Sequence, residues 1–182
     1  GSNEFMAGAN VFYTPESLRG DRTDVYANNG ALLARNEGVD EGGDQFSTSV
    51  WASGALIQDR LFAYALVQYG ENNDTNTFGG VASATNFESQ SDSPTWLLKM
   101  DWNISDNHLL ELTAFSDESN SEIRSYRTVA GTQGTGRGSL RGTTFDETGG
   151  QTTSLRYTGY LTDNFTLSAL YGHGESSRAN YG

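Results

Sequence analysis

Polar and apolar residues alternate with a period of two along residues 95–116. Trp96, Leu98, Met100, Trp102 and Ile104 fall on one side, and Lys99, Asp101 and Asn103 on the other. Successive strand side chains point to opposite faces, so the segment has one apolar face and one wet face. Ser105-Asp106-Asn107-His108 carries the Asx and Ser chemistry of a tight reversal. Leu110, Leu112 and Ala114 then repeat the pattern against Glu111 and Thr113. Trp residues at both ends of the apolar side, with aliphatic residues between, are what a transmembrane β-hairpin presents to the two interfaces and the hydrocarbon.

The same period appears elsewhere. Residues 3–13 place Phe5, Ala7, Ala9, Val11 and Tyr13 opposite Met6, Gly8, Asn10 and Phe12, and Pro15 ends the run. Residues 46–56 set Phe46, Thr48, Val50 and Ala52 against Ser47, Ser49, Trp51 and Ser53, giving Trp51 an inward position. Across the turn at 57–60, residues 61–70 carry Leu61, Ala63, Ala65, Val67 and Tyr69 on one face. Phe62, Tyr64 and Leu66 make their other face apolar too, which suits a packed interior better than a water-filled one. Residues 153–161 and 165–172 form a last hairpin around Thr162-Asp163-Asn164, with Leu155, Tyr157, Gly159 and Leu161 on one strand and Phe165, Leu167, Ala169 and Tyr171 on the other.

The connections sort by length. Tight turns at 57–60, 105–108 and 162–164 alternate with long polar segments at 14–44, 71–94 and 117–152, the last holding a short extension at 123–129 and a Gly-rich run from Gly131. Outer-membrane barrels have short periplasmic turns and long extracellular loops, and strands of about 10 residues cross the membrane when tilted. The pattern predicts an all-β fold: an antiparallel transmembrane β-barrel represented by seven spanning strands. Seven antiparallel strands cannot close on themselves, and an open edge in lipid leaves backbone groups unpaired. The expectation is therefore either a missed eighth strand or part of a larger barrel.

Composition permits this reading. The 182 residues include 22 Gly, 2 Pro and no Cys, with 12% aromatics and a formal charge of -12. Mean hydropathy is -0.55. No run approaches the roughly 18 to 20 apolar residues of a spanning helix, but a barrel strand needs only every second residue apolar. Without Cys there are no disulfides or thiolate metal sites. The acidic balance argues against nucleic acid as a partner. An outer-membrane protein is made with a signal peptide and none is present, so the chain is expected to begin after processing or to be a fragment.

Gly1-Ser2-Asn3-Glu4-Phe5, followed by alternating small and aromatic residues, resembles the first barrel strand of TonB-dependent receptors, just after the plug. Ser53-Gly54-Ala55-Leu56-Ile57-Gln58-Asp59-Arg60-Leu61-Phe62-Ala63-Tyr64 is similar to the G-G-P-I-x-K-D-K-L-F-F-F turn of the Oar-like branch, with Ala55 where that branch has Pro. Asp106-Asn107-His108-Leu109-Leu110 and Thr162-Asp163-Asn164-Phe165 resemble its later periplasmic turns. The resemblance implies a 22-stranded barrel in a Gram-negative outer membrane, filled by an N-terminal plug and driven through TonB. Residues 1–182 would then be the N-terminal portion of the barrel, without plug or C-terminal strands. The expected partners are outer-membrane lipid and lipopolysaccharide, the TonB complex through the plug, and a scarce nutrient caught by the extracellular loops. The alternatives are a complete eight-stranded outer-membrane protein with a structural or adhesive role, and a soluble β-sandwich binding module.

No catalytic residue is expected. His108 and His173 fall at a turn and at a strand end on opposite sides of the membrane, and no Gly-x-Ser-x-Gly or His-x-x-x-His motif occurs. The Gly-rich run lacks the Lys-Ser/Thr ending of a phosphate loop and reads as an external loop. Asn10, Gln68, Lys99, Asp101, Glu111 and Arg156 are expected on the lumen side, either touching ligand or plug or, as the favoured reading, forming an inner wall with cross-strand pairs such as Lys99 with Glu111. Trp96, Trp102, Tyr157, Phe165 and Tyr171 are expected as lipid-interface anchors. Oxygen ligands from Asp40, Glu41 and Asp44, with Glu37, and from the run Glu71 to Asn76, offer Ca²⁺ sites in extracellular loops; their spacing departs from an EF-hand, and solvated acidic loops are the favoured reading.

Overall fold

A computed structural model describes residues 1–20, 23–34, 42–78, 85–129 and 136–182. Each period-two segment becomes a strand. They are β1 (Met6–Thr14), β4 (Gly42–Ile57), β5 (Leu61–Phe78), β6 (Thr85–Ser105), β7 (His108–Ser116), β9 (Arg137–Thr162) and β10 (Phe165–Tyr181), and an eighth strand, β8 (Ser119–Thr128), lies where the period gave none. Between β1 and β4 lie a single 3-10 turn after Pro15 (Glu16–Leu18) and a small separate hairpin, β2 (Val25–Tyr26) with β3 (Leu32–Ala34). There is no α-helix among the described residues.

Eight strands form one antiparallel sheet in the order β1-β4-β5-β6-β7-β9-β10, with β8 also between β6 and β9. β7 and β8 therefore lie end to end in one row, and the sheet has seven rows, the number of spanning strands that the alternation predicts. Among the described residues β1 pairs only with β4 and β10 only with β9, so the sheet is open at both edges.

The hairpins that close on tight turns all do so at one end. Their last pairs are Ile57 with Leu61, Ser105 with His108 and Thr162 with Phe165. Asp59 sits in the first of these turns at φ 59°, a left-handed position that Asp tolerates. The start of β1 lies at the same end, Met6 opposite Ser53. The long connections leave from the other end, as expected.

Two expectations are corrected here. Strands of about 10 residues were expected from the membrane thickness; β4, β5, β6, β9 and β10 have 16, 18, 21, 26 and 17. The segments 71–94 and 117–152, read as loops, are mostly strand. Phe78 pairs with Thr85, and β8 pairs with β9 from Ser119–Thr148 to Thr128–Arg137. Within the Gly-rich run, residues from Arg137 on belong to β9 and not to an external loop; 131–135 lie outside the described residues. The extension read at 123–129 falls within β8 except for Val129, just past its end. The reason is physical. Ladder hydrogen bonds join backbones whatever the side chains are, whereas hydrophobic period reveals only strands with one dry face. In this half both faces are polar.

The two halves meet at a narrow waist. Pro94 in β6 has no N–H to donate, and it sits level with the break between β7 and β8 at 117–118. Asp117 closes the break toward β9: its N–H donates to the Gly150 carbonyl at 3.2 Å, and its carboxylate accepts from Gly150 N–H at 3.0 Å. Beside them Gly149 has φ 102°, and a Cβ there would lie 2.4 Å from the Asp117 carbonyl oxygen.

Candidate functional site

Directly paired residues in an antiparallel ladder share a face. Tracing the pairs across the sheet therefore tests whether the apolar positions of separate strands belong together. Ala9 pairs with Val50, Val50 with Val67 and Val67 with Trp96. Met100 pairs with Leu112, Leu112 with Leu155 and Leu155 with Tyr171. Every apolar set identified by alternation lands on one face of the tight-turn half of the sheet. A register slip of one residue anywhere would have moved a strand's set to the other side.

Nothing in the described chain covers this face. A soluble sheet buries its apolar side against a second layer. Here Ala114, 9% exposed, is the single buried hydrophobic among the described residues, while Val67 is 62% exposed, Val11 67% and Tyr171 67%. The five aromatics expected as interface anchors lie on this face: Trp96, Trp102, Phe165 and Tyr171 are exposed and Tyr157 is half-buried. Tyr157 differs in having a partner, His108, whose Nδ1 lies 2.6 Å from the phenol oxygen and whose ring stacks on it at 5.9 Å.

The opposite face holds all six residues expected on an inner wall, in two groups. Asn10 lies opposite Ser49, with its Nδ2 donating to Ser49 Oγ at 3.4 Å, and Ser49 lies opposite Gln68. Trp51 is on this face as expected, stacked on Tyr64 at 6.3 Å and lying over Gly8, where a Cβ would come 2.8 Å from the indole. Asp101, Glu111 and Arg156 form the other group, in one row six residues down β5 from Gln68, since Phe62 opposes Asp101, and Lys99 joins them two residues along β6 on the same face. The pairing of Lys99 with Glu111 is corrected. Thr113 stands opposite Lys99, and Glu111 stands between Asp101 and Arg156, its carboxylate 4.0 Å from the guanidinium. Two carboxylates directly opposite repel, and Arg156 offsets this from the far side. The two groups do not converge on one ligand site.

The N-terminal residues fold onto this face. Asn3 donates to the Asp59 carboxylate at 2.6 Å and accepts from the Asp59 N–H at 2.9 Å. Gly1 lies against Phe62.

The polar half carries a cluster that the sequence reading missed. Tyr126 donates to Glu88 at 2.6 Å, Arg137 pairs with the other oxygen of Glu88, and the Arg137 guanidinium lies 4.8 Å above the Tyr126 ring. The hydrogen bond from Tyr126 and the pairing with Arg137 hold the Glu88 carboxyl below its ordinary range, against the opposing effect of burial. The same bond pushes the Tyr126 phenol up. Glu122 and Arg124 pair beside it at 2.7 Å. Glu122, Arg124 and Tyr126 alternate in β8, which was the signal available; it was hidden because all three are polar.

His173, expected at a strand end, is inside β10 opposite Thr153. Of the Ca²⁺ candidates, Asp40 and Glu41, with Glu37, lie outside the described residues, Asp44 is in β4, and the run Glu71 to Asn76 is strand, in β5, and not loop. Among the described residues no group of His, Asp and Glu gathers to hold a metal ion. No family model, curated protein or solved structure matches this chain.

Proposed function

We propose that the chain is the N-terminal part of the β-barrel of a TonB-dependent outer-membrane receptor, with its apolar face against lipid and its opposite face toward the lumen. One observation carries the membrane assignment: seven rows share an apolar face that no other part of the described chain covers. Lipid satisfies that face without a second protein layer, and backbone pairing within the sheet satisfies the polar groups that lipid cannot. Against the soluble-sandwich alternative, no sheet among the described residues covers the apolar face. Against the eight-stranded alternative, the described residues give seven rows, a number that does not close with antiparallel pairing.

The receptor assignment rests on the resemblance of the opening residues and the tight turns. It implies 22 strands, a plug filling the lumen and energy delivered through TonB from the periplasm. The tight-turn end then faces the periplasm, and the polar half with its connections stands outside, where a scarce nutrient is captured. Asp101, Glu111 and Arg156 form a charged stripe on the wall facing the plug. Fractionation of cells making the full-length protein tests this. Recovery in the outer membrane, with the gel mobility shift on heating typical of barrels, is expected. Recovery in a soluble fraction overturns it.

A further inference from the structure

The wall group around Asn10 and Gln68 is part of a wider field on the same face. Asn10, Ser49, Gln68 and Thr95 pair in one row across β1, β4, β5 and β6. Two residues nearer the polar half, Phe12, Ser47, Gly70 and Ser93 form the next row, and Thr14, Gln45, Asn72 and Ser91 the third. With about 3.3 Å per residue and about 4.8 Å between strands, the three rows cover about 13 Å by 14 Å. None of these positions is charged, in a chain of which 19% is, so their chemistry sets them apart from the rest of the molecule. Charge returns at both borders. Asp74, two residues beyond Asn72, pairs with Arg19 at 2.7 Å. In the other direction Lys99, opposite Tyr64, begins the charged group four residues from Gln68 along β5.

A groove of about 330 Å³ lies in this field, lined by Phe12, Ser47, Gln68, Gly70, Asn72 and Ser93 among others. Glu71 also borders it but turns its carboxylate to the opposite face, where Tyr69 and Asn73 donate to it at 3.4 and 3.1 Å. The polar groups of the field are almost unspent. Asn10 to Ser49 at 3.4 Å is the one hydrogen bond between these side chains. Asn72 Oδ1 is shut off from water without a donor among the described residues. Such an acceptor is costly to leave, and a donor brought by a bound molecule removes the cost. Phe12, 66% exposed, stands among these hydroxyls and amides as an open ring face.

From this chemistry we infer that the field binds a neutral saccharide. The inference names the class of nutrient for the proposed receptor and rests on that reading for its place in the lumen. A sugar hydroxyl both donates and accepts. Ser, Thr, Asn and Gln side chains do both as well, whereas Lys and Arg only donate and carboxylates only accept. The C–H faces of the sugar ring carry partial positive charge and lie on the negative face of an aromatic such as Phe12. An anionic metal chelate needs cationic partners to replace its hydration, and the field supplies none.

The test is calorimetric titration of the full-length protein in a mild detergent with maltohexaose, cellohexaose, xylohexaose and mannohexaose, and with ferric citrate as the anionic probe. At least one hexaose is expected to bind, with a Kd that does not change between about 0.01 and 0.1 M salt, since no ion pair forms. Phe12→Ala and Gln68→Ala, both at exposed positions, should each weaken binding by about fivefold to tenfold. Phe12→Tyr, which keeps the ring, should retain it. The mobility shift on heating checks that each variant folds. Binding of ferric citrate in place of any hexaose overturns the inference, as does a hexaose Kd that both Ala variants leave unchanged. A protein recovered in the outer membrane that binds no hexaose removes the site and leaves the receptor reading standing. Saccharide binding by a protein recovered in a soluble fraction keeps the site and overturns the receptor reading.

Discussion

At the scale of single residues, the sheet sorts neighbours in sequence into opposite environments, and that contrast is measurable. Leu98 sits between Ala65 and Ala114 on the apolar face, while Thr113 and Tyr64 flank Lys99 on the other. Leu98→Arg should cost about 2–4 kcal/mol in the full-length protein unfolded by urea from lipid vesicles, because the guanidinium enters hydrocarbon near its middle. Lys99→Arg, one residue away, should be close to neutral. Equal costs at the two positions would mean that the faces are not lipid and lumen. Glu88 gives a prediction of another kind. Its folded carboxyl is held below the ordinary range by Tyr126 and Arg137. A depressed folded pKa contributes stability that is present above the unfolded pKa and is lost as pH falls through the folded one. Protection of the β8 amides, taken relative to the intrinsic exchange rate at each pH, should therefore fall on acidification, with the change setting in around and below the ordinary carboxylate range. Glu88→Gln should flatten that acid-side change. An unaltered pH profile in the variant would remove Glu88 as its source.

At the scale of elements, the sheet consists of an amphipathic half and a polar half joined at Pro94, the 117–118 break and Gly149. The prediction here is that Gly149→Ala destabilises by about 1–2 kcal/mol, from the cost of a left-handed backbone for a residue with Cβ. The clash with the Asp117 carbonyl adds to it. Exchange protection should fall first in β8 and the upper part of β9, with β7 keeping its own; uniform loss along β9 would show that the waist is not a boundary between units. Legibility in the sequence divides at the same place. The amphipathic half was readable, since one dry face imposes period two and a register slip would expose it. All seven rows, the three tight turns and the shared face follow from that. Beyond the short extension at 123–129 the polar half left no period, so the rest of Ser119–Thr128 and all of Arg137–Gln151 read as loop although their backbones pair in ladders. The wall pairs were only half readable. Face membership of Lys99, Asp101, Glu111 and Arg156 follows from parity, but which of them stand opposite one another depends on register, and that is set by where each turn closes.

At the scale of the whole molecule, the described residues leave the sheet with one apolar face uncovered and both edges open: β1 and the 17-residue β10 each leave one side of the ladder unpaired among the described residues. Such edges are templates for other strands. Opposing this is a formal charge of -12, carried mostly by acidic residues of the polar half and its connections. Charge repulsion reaches about 30 Å at 0.01 M salt and only about 10 Å at 0.1 M, whereas apolar contact and strand pairing are not screened. Residues 1–182 refolded alone in aqueous buffer should therefore associate, and more so as salt rises. Sedimentation velocity should show a distribution that shifts to larger species between these salt concentrations. Micelles of a mild detergent should disperse it by covering the apolar band. A salt-independent, monodisperse monomer without detergent would require the chain to bury its apolar face on itself, and the uncovered band from which the lipid assignment is drawn would not exist.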